Sequence, residues 1–138
     1  MTTSPALQQL RERLGSERAG HPILLEELGD QLVIIVRTAP KDRLRLCEES
    51  SLSQDLERLG LSDEEKSGDA KLDERYVVRG NPALLTGPVK DALQKLEPFL
   101  EFEMTAREYR LLKELRPDDL TAVERVLDDL LAVVELTA

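Results

Sequence analysis

Apolar and polar residues alternate in several short stretches of the chain, as they do in a strand with one buried face. The clearest example is 100–104, where Leu100, Phe102 and Met104 alternate with glutamates. The stretch 31–38 begins with residues that are apolar on both faces, which predicts a central strand. Strands are predicted at 21–28, 31–38, 43–50, 73–79, 100–104 and 109–115.

Two of these strand predictions depend on turns. Gly29-Asp30 separates the runs 21–28 and 31–38 by two turn-forming residues, which predicts a β-hairpin. The run AREYRLLKEL has residues that favour a helix, but a strand at 109–115 that turns back at 105–108 would also form a hairpin. We adopt the hairpin for that region.

Leucine and valine recur at helical spacing in the remaining stretches. Ser4-Pro5 and Thr86-Gly87-Pro88 mark the starts of two helices, and a short helix is predicted at 53–61. Thr121 and Glu124 have the spacing of a capping box at the start of the last helix. The last helix has a broad apolar face, which must cover a sheet or meet a partner.

These elements predict a single α+β domain over residues 1–138, in which 1–19 form an N-terminal helix and linker. The sheet is predicted to be mixed or antiparallel, with about five to six strands and with the helices packed on one side. A chain of 138 residues suits one hydrophobic core. Because aromatic residues make up only 3%, the core is expected to consist mostly of leucine and valine.

Charge and cysteine content narrow the classes of function. The formal net charge of −9 disfavours a broad nucleic-acid surface or an anionic membrane surface, since both require clustered lysine and arginine. Cys47 is the single cysteine, so no intrachain disulfide can form and a reducing cytoplasm is expected. No apolar run approaches the roughly 20 residues that span a bilayer, so direct membrane insertion is not expected.

A turn, a strand and a helix follow one another at 68–90 and contain Gly68-Asp69, Leu72-Asp73, Arg79-Gly80 and Pro88. This pattern resembles that of uncharacterised bacterial domains, which often lie beside transmembrane helices in proteins of unknown function. Leu72 stands where those domains usually have phenylalanine. The resemblance implies a fold of this kind and an unassigned function, and it transfers no catalytic residue.

One loop has the spacing of a calcium site. Asp63, Glu65, Ser67, Gly68 and Glu74 fall at the positions that oxygen ligands and the sharp glycine turn occupy in such loops. Two lysines lie within the loop, however, and the residues after it predict a strand where a calcium loop continues into a helix. We therefore interpret it as a solvated acidic loop and predict no metal and no other cofactor.

No catalytic residue is predicted. His21 is the only histidine, so neither a histidine-rich zinc site nor a paired-histidine relay can form within one chain. Cys47 could pair with His21 if their strands were neighbours, but a buried, unreactive thiol is the favoured interpretation. Glu101 and Glu103 are expected on a solvated strand face. Because the chain also lacks phosphate-loop, dinucleotide and serine-nucleophile motifs, we expect that it is not an enzyme.

Arg75 and Arg79 share one face of a predicted strand, close to Gly80 and a helix start. Such a pair could hold a carboxylate or phosphate, although arginine stems also often lie along apolar surfaces. The favoured hypothesis is a non-catalytic protein–protein interaction module that binds another protein or a second copy of itself as a homodimer. The alternative is a small anionic ligand-binding protein, or an enzyme, that uses Arg75 and Arg79.

Overall fold

The computed structural model describes residues 4–48 and 76–137, which form one antiparallel sheet with helices on one side. Its strands are β1 (Glu17–Arg18), β2 (His21–Leu28), β3 (Gln31–Val36), β4 (Leu44–Glu48), β5 (Tyr76–Gly80), β6 (Glu101–Met104) and β7 (Tyr109–Lys113). Its helices are α1 (Pro5–Leu14), α2 (Gly87–Leu96) and α3 (Leu120–Thr137), with a 3₁₀ turn at Pro82–Leu84. The α+β class is confirmed. The described sheet has seven strands, where five to six were expected, because the two residues of β1 pair with the start of β2.

The strands lie in the order β1-β2-β3-β7-β6-β4-β5, and every neighbouring pair is antiparallel. The hairpins β2–β3 and β6–β7 lie side by side, because β3 pairs with β7. The segment 37–43 therefore passes the ends of β7 and β6 before β4 pairs with β6. As a result, three parts of the chain lie together at one end of the strands: the segment 37–43, the β6–β7 turn and the end of β5.

Both predicted hairpins are present. Gly29 has a φ of 62° in the two-residue β2–β3 turn, a conformation that glycine adopts without steric cost. In the β6–β7 turn, the Thr105 amide donates to the Glu108 carbonyl at 2.9 Å, and the Thr105 hydroxyl accepts from the Glu108 amide at 3.1 Å. The residues Tyr109–Lys113 are thus a strand with partners on both sides, so pairing outweighs their local preference for a helix.

The helix starts agree only in part with the capping predictions. Ser4 caps α1 by accepting a hydrogen bond from the Leu7 amide at 3.1 Å. At the start of α3, the Asp119 carboxylate accepts from the Ala122 amide at 3.2 Å. The predicted capping box of Thr121 and Glu124 is therefore wrong, because the helix begins at Leu120 and an aspartate takes the capping position.

The core lies between α1, α2 and α3 and one face of the sheet, which we call the covered face. Phe102 and Leu111 at the centre of this face are fully buried. The broad apolar stripe of α3 is buried in the same core, as are the leucines of α1. The Arg11 side chain of α1 also reaches β2, where its Nε donates to the Leu25 carbonyl oxygen at 2.8 Å.

Several predicted features fall on residues that the structure does not describe. They are the short helix at 53–61, the candidate calcium loop, and Arg75. Of the strand predicted at 73–79, the described part begins at Tyr76 and continues to Gly80, and Tyr76 and Val78 face the core. Within the described ranges, no helix is both long enough and apolar enough to cross a membrane.

Candidate functional site

The sheet face opposite the core, which we call the second face, carries a row of side chains that is apolar at one end and charged over the rest. Neighbouring residues in this row are paired across adjacent strands from β2 to β5, and they are Leu24, Ile35, Arg110, Glu103, Arg45 and Arg79. Charges alternate in sign from Arg110 to Arg45. The last pair breaks the alternation, because Arg45 and Arg79 lie directly opposite each other with the same charge.

A cavity of about 510 Å³ opens beside this pair, where β4 begins and where β5 and β6 end. Four arginines line it, namely Arg43, Arg45, Arg79 and Arg107, and within 4–48 and 76–137 the lining includes a single carboxylate, that of Glu103. We call this cavity the arginine pocket. Among its lining residues, positive charges exceed negative charges by three, although the whole chain has a formal net charge of −9.

The four arginines come from different parts of the chain. Arg45 and Arg79 project from paired positions of β4 and β5, whereas Arg43 precedes β4 and Arg107 lies in the β6–β7 turn. Both Arg43 and Arg107 are exposed, and Arg79 is half-buried. They converge because the strand order places β4 between β5 and β6. The segment before β4 and the β6–β7 turn therefore meet at one end of the strands.

Arg45 is held in place by a carboxylate on the neighbouring strand. Its Nε lies 3.1 Å from Oε1 of Glu101. Burial by itself lowers the pKa of Arg45, but the hydrogen bond to Glu101 and the surrounding negative charges outweigh this effect and raise the pKa overall. Arg45 therefore carries its full charge. Arg79 also has an interaction partner within the chain.

The backbone around Arg43 is fixed by a close approach of β4 and β5. Gly80 has a φ of 96°, and a Cβ at this position would lie 2.3 Å from the Arg43 carbonyl oxygen. The Asn81 amide donates to the same oxygen at 2.9 Å. The Asn81 side chain donates to Asp42 at 2.9 Å, and this hydrogen bond is the main reason that the pKa of Asp42 is lowered. The pocket edge is thus built on a tightly packed backbone.

The structure brings one of the two sequence-predicted site residues into this pocket. Arg79 lines it, whereas Arg75 lies outside the described residues, so the predicted pairing of the two arginines stays a prediction. Sequence reasoning missed Arg43, Arg45 and Arg107. In the predicted strand at 43–50, the alternation of Arg43, Leu44 and Arg45 puts both arginines on one strand face. Their convergence with Arg107 depends on strand order, for which the sequence has no direct signal.

Cys47 also lies on the second face, but its environment makes it unreactive. The side chain is buried, and burial, followed by the charge of Glu101, raises the pKa of the thiol to about 11. The suggested pairing of Cys47 with His21 is wrong. Their strands, β4 and β2, are separated by three other strands, which corresponds to about 19 Å at the usual strand spacing.

His21 takes part in a different chain of hydrogen bonds. Its Nδ1 lies 2.7 Å from the Thr38 hydroxyl and its Nε2 lies 2.9 Å from Glu135. A hydroxyl, an imidazole and a carboxylate in this order occur in hydrolytic enzymes, where the carboxylate is shielded from water. Here the Glu135 side chain is 66% exposed. We interpret these hydrogen bonds of His21 as a structural link between the β2–β3 hairpin and the end of α3.

Over 4–48 and 76–137, no group of three or more histidine, cysteine, aspartate or glutamate side chains could hold a metal ion. No protein-family model, curated protein or solved structure matches the chain. The resemblance based on 68–90 therefore stays a prediction. Among the described residues, the arginine pocket is the feature that indicates a function most strongly.

Proposed function

We propose that this protein is a non-catalytic binding domain that recognises an anionic group in the arginine pocket. One observation carries the proposal, namely that four arginines line one cavity and that Glu103 supplies the single carboxylate among the described residues of its lining. Guanidinium groups bind carboxylates and phosphates through paired N–H donors, and they stay charged at any physiological pH. The proposal agrees in part with the alternative drawn from the sequence, which was an anion-binding protein that uses Arg75 and Arg79, since Arg79 is part of the site.

The acidity of the rest of the chain supports the specificity of this site. A formal net charge of −9 repels anions from most of the surface, so an anion gains most where positive charge is concentrated. The fixed backbone at Arg43 and Gly80 adds to this effect, because a preorganised edge loses little conformational entropy when a ligand binds.

The size of the pocket favours a small molecule or a single side chain as the bound group. Its volume of about 510 Å³ falls within the range of small-ligand sites in proteins. The same anionic group could be free in solution or be carried by a partner protein, and both sources offer the same chemistry to the arginines. No reaction is proposed, because His21 lies four strands away from Arg45 and Cys47 carries a protonated thiol at neutral pH.

The burial of the α3 stripe changes the argument for a protein partner. That stripe was the sequence-based reason to expect a dimer, and its residues now contribute to the core of the same chain. Association with a second copy or with another protein stays a prediction that rests on other surfaces. Light scattering tests it directly, since a homodimer has twice the chain mass of 15.6 kDa.

The binding proposal can be tested by NMR spectroscopy of the isotopically labelled chain. Addition of sodium sulfate is expected to shift the backbone amides of Arg45, Gly80 and Arg107, while sodium chloride at equal ionic strength leaves them in place. The variant R43Q/R79Q is expected to lose the sulfate response. R110Q is the matched control, because Arg110 lies in the same row of the second face but does not line the pocket.

Two results would contradict the proposal. One is a sulfate response in R43Q/R79Q that equals that of the unmodified chain, provided that circular dichroism shows the variant to be folded. The other is a response to sulfate that is spread over the whole surface and is lost equally in R110Q. Titration of the unmodified chain with an extract of soluble proteins, before and after removal of small molecules, separates the two sources of the anion.

A further inference from the structure

Asn81, the residue that follows β5, makes hydrogen bonds to three nearby residues. Its backbone amide donates to the Arg43 carbonyl oxygen at 2.9 Å. Its side-chain nitrogen donates to Oδ2 of Asp42 at 2.9 Å, and its side-chain oxygen accepts from the Ala83 amide at 3.0 Å. Because both polar atoms of the Asn81 side chain have partners, this side chain has a defined orientation against the segment that precedes β4.

The Asp42 carboxylate is held through both of its oxygens. Oδ1 accepts from the backbone amide of Arg43 at 2.8 Å, while Oδ2 accepts from Asn81. The hydrogen bond from Asn81, followed by the one from the Arg43 amide, lowers the pKa of Asp42. The charge of the Arg43 guanidinium is the smallest of the causes that act on this pKa. The carboxylate is therefore ionised at neutral pH and is bound chiefly by neutral donors.

The position of this carboxylate matters because the next residue belongs to the arginine pocket. Arg43 is exposed and lines the pocket, whereas Asp42 is not among the described residues of the lining. Carboxylates and guanidinium groups form strong, charge-assisted hydrogen bonds, so Asp42 is an internal competitor for any anion that Arg43 binds. The amide of Asn81 gives this competitor a different partner.

We infer that Asn81 is a positioning residue of the proposed anion site, which holds the Asp42 carboxylate away from the Arg43 guanidinium and leaves that guanidinium to an external anion. The inference rests on the proposed function and adds how the site is kept clear of a competing carboxylate. Asn81 is not among the described lining residues, so it acts through Asp42 and Arg43 and not by contact with the ligand.

A cycle of single and double variants measures this role, with sodium sulfate as the probe. The dissociation constant of sulfate is obtained from the NMR shifts of the Arg45 and Arg107 amides at neutral pH and constant ionic strength. N81A removes the donor to Asp42 but keeps the backbone amide that donates to Arg43. The affinity for sulfate is expected to fall about threefold, which is the size of effect that an exposed ion pair typically has.

The double variant D42N/N81A decides the question, because it removes the competing carboxylate as well. Its affinity for sulfate should return at least to that of the unmodified chain. D42N alone should change the affinity by less than about twofold, since in that background the carboxylate is already held by Asn81. The gain from D42N should thus be larger in the N81A background, and this difference is the coupling between the two positions.

D30N is the matched control for the change in total charge. Asp30 is an exposed carboxylate in the β2–β3 turn, at the opposite end of the strands from the pocket. D30N should have the same small effect on sulfate affinity with and without N81A. A gain from D30N that is also larger in the N81A background would overturn the inference, because the coupling would then not be specific to Asp42.

A purely structural role of Asn81 gives a different result. N81A also removes the acceptor of the Ala83 amide beside the 3₁₀ turn, and D42N would not repair that loss. If N81A does not fold by circular dichroism, N81D takes its place in the cycle. An ionised aspartate can still accept from the Ala83 amide but cannot donate to Asp42.

The outcomes separate this inference from the function on which it rests. If N81A binds sulfate as well as the unmodified chain does, or if D42N raises the affinity by the same factor in both backgrounds, the role of Asn81 is overturned and anion binding stands. If the unmodified chain gives no saturable response to sulfate at the pocket, the proposed function fails and the inference fails with it.

Discussion

The two faces of the sheet use the same strands for different purposes. On β4, Leu44 and Leu46 enter the core under the helices, while Arg45 and Cys47 point to the second face. On the covered face nearly every side chain is apolar and buried, so its contribution is packing. On the second face the paired positions include arginines and glutamates, whose contribution depends on their partners. Packing in the core and the proposed anion binding thus fall to alternate residues of single strands.

The largest expected effect comes from the covered face. Phe102 is fully buried at its centre, and F102A is expected to lower the free energy of unfolding by about 3–5 kcal/mol because it leaves a cavity. E103A, one residue further along β6, changes a partly exposed side chain of the second face and should cost less than about 1 kcal/mol. Urea denaturation of both variants measures the difference. Equal losses of unfolding free energy in F102A and E103A would contradict the conclusion that the covered face contributes more to stability than the second face does.

Substitution of Gly80 tests whether the backbone beside the arginine pocket tolerates changes as poorly as the core does. G80A would place a Cβ against the Arg43 carbonyl and force alanine to a φ of 96°. The combined clash and strain are expected to cost about 3 kcal/mol of folding stability. In G29A the φ is 62° but no atom lies within 4 Å of the added Cβ, so the cost should be about 1–2 kcal/mol. A G80A variant as stable as G29A would show that the strands separate easily.

The labelling rate of the Cys47 thiol tests whether the second face excludes solvent and reagents at this position. Its pKa of about 11, against 9.0 for an ordinary thiol, leaves about a hundredfold less thiolate at pH 8. Labelling with a disulfide reagent should therefore be at least a hundredfold slower in the folded chain than in urea. Comparable rates would mean that the thiol is accessible.

The same pKa predicts an alkaline loss of stability. Because the folded-state pKa is raised, the contribution of Cys47 is complete below pH 9.0 and declines as the pH rises towards about 11. C47A should show a shallower decline over this interval than the unmodified chain. The measurement is the urea midpoint as a function of pH, and parallel curves would contradict the prediction.

The smallest expected effect concerns a polar contact inside the covered face. The Tyr109 hydroxyl lies 2.6 Å from the Thr137 hydroxyl, which itself donates to the Val133 carbonyl at 2.8 Å, so Tyr109 is the donor between them. Y109F should cost about 1 kcal/mol. The double variant Y109F/T137V removes both hydroxyls and should recover part of this loss. A larger loss of stability in the double variant than in Y109F would indicate that the hydrogen bond from Thr137 to Val133 contributes more to stability than the one from Tyr109 to Thr137.

The sequence predicts local elements well because their signals are local. Alternation identified β6, and the two-residue Gly29-Asp30 turn identified the first hairpin with its correct partners. The start of α3 was misplaced because Asp119 and Thr121 can both cap a helix, and only the backbone path decides between them. The two-residue β1 has too few residues for any periodicity to be seen.

The candidate site was much harder to predict than the fold. Arg79 was found because its strand and the following glycine are close in sequence. Arg43 and Arg107 are brought together by the insertion of β6–β7 between β3 and β4, which is a long-range arrangement. No pattern along the chain encodes which strand lies next to which, so a pocket built from separate segments could not be read from it.

The hydrogen bond from Arg11 to the Leu25 carbonyl has a consequence for the behaviour of the protein at high concentration. Beyond the two residues of β1, this flank of β2 would otherwise offer backbone acceptors to a strand from another molecule. A guanidinium bound there occupies an acceptor and places a positive charge in the path of an incoming chain. We therefore expect resistance to edge-to-edge aggregation, and replacing this arginine with leucine should promote fibril or oligomer growth on that flank.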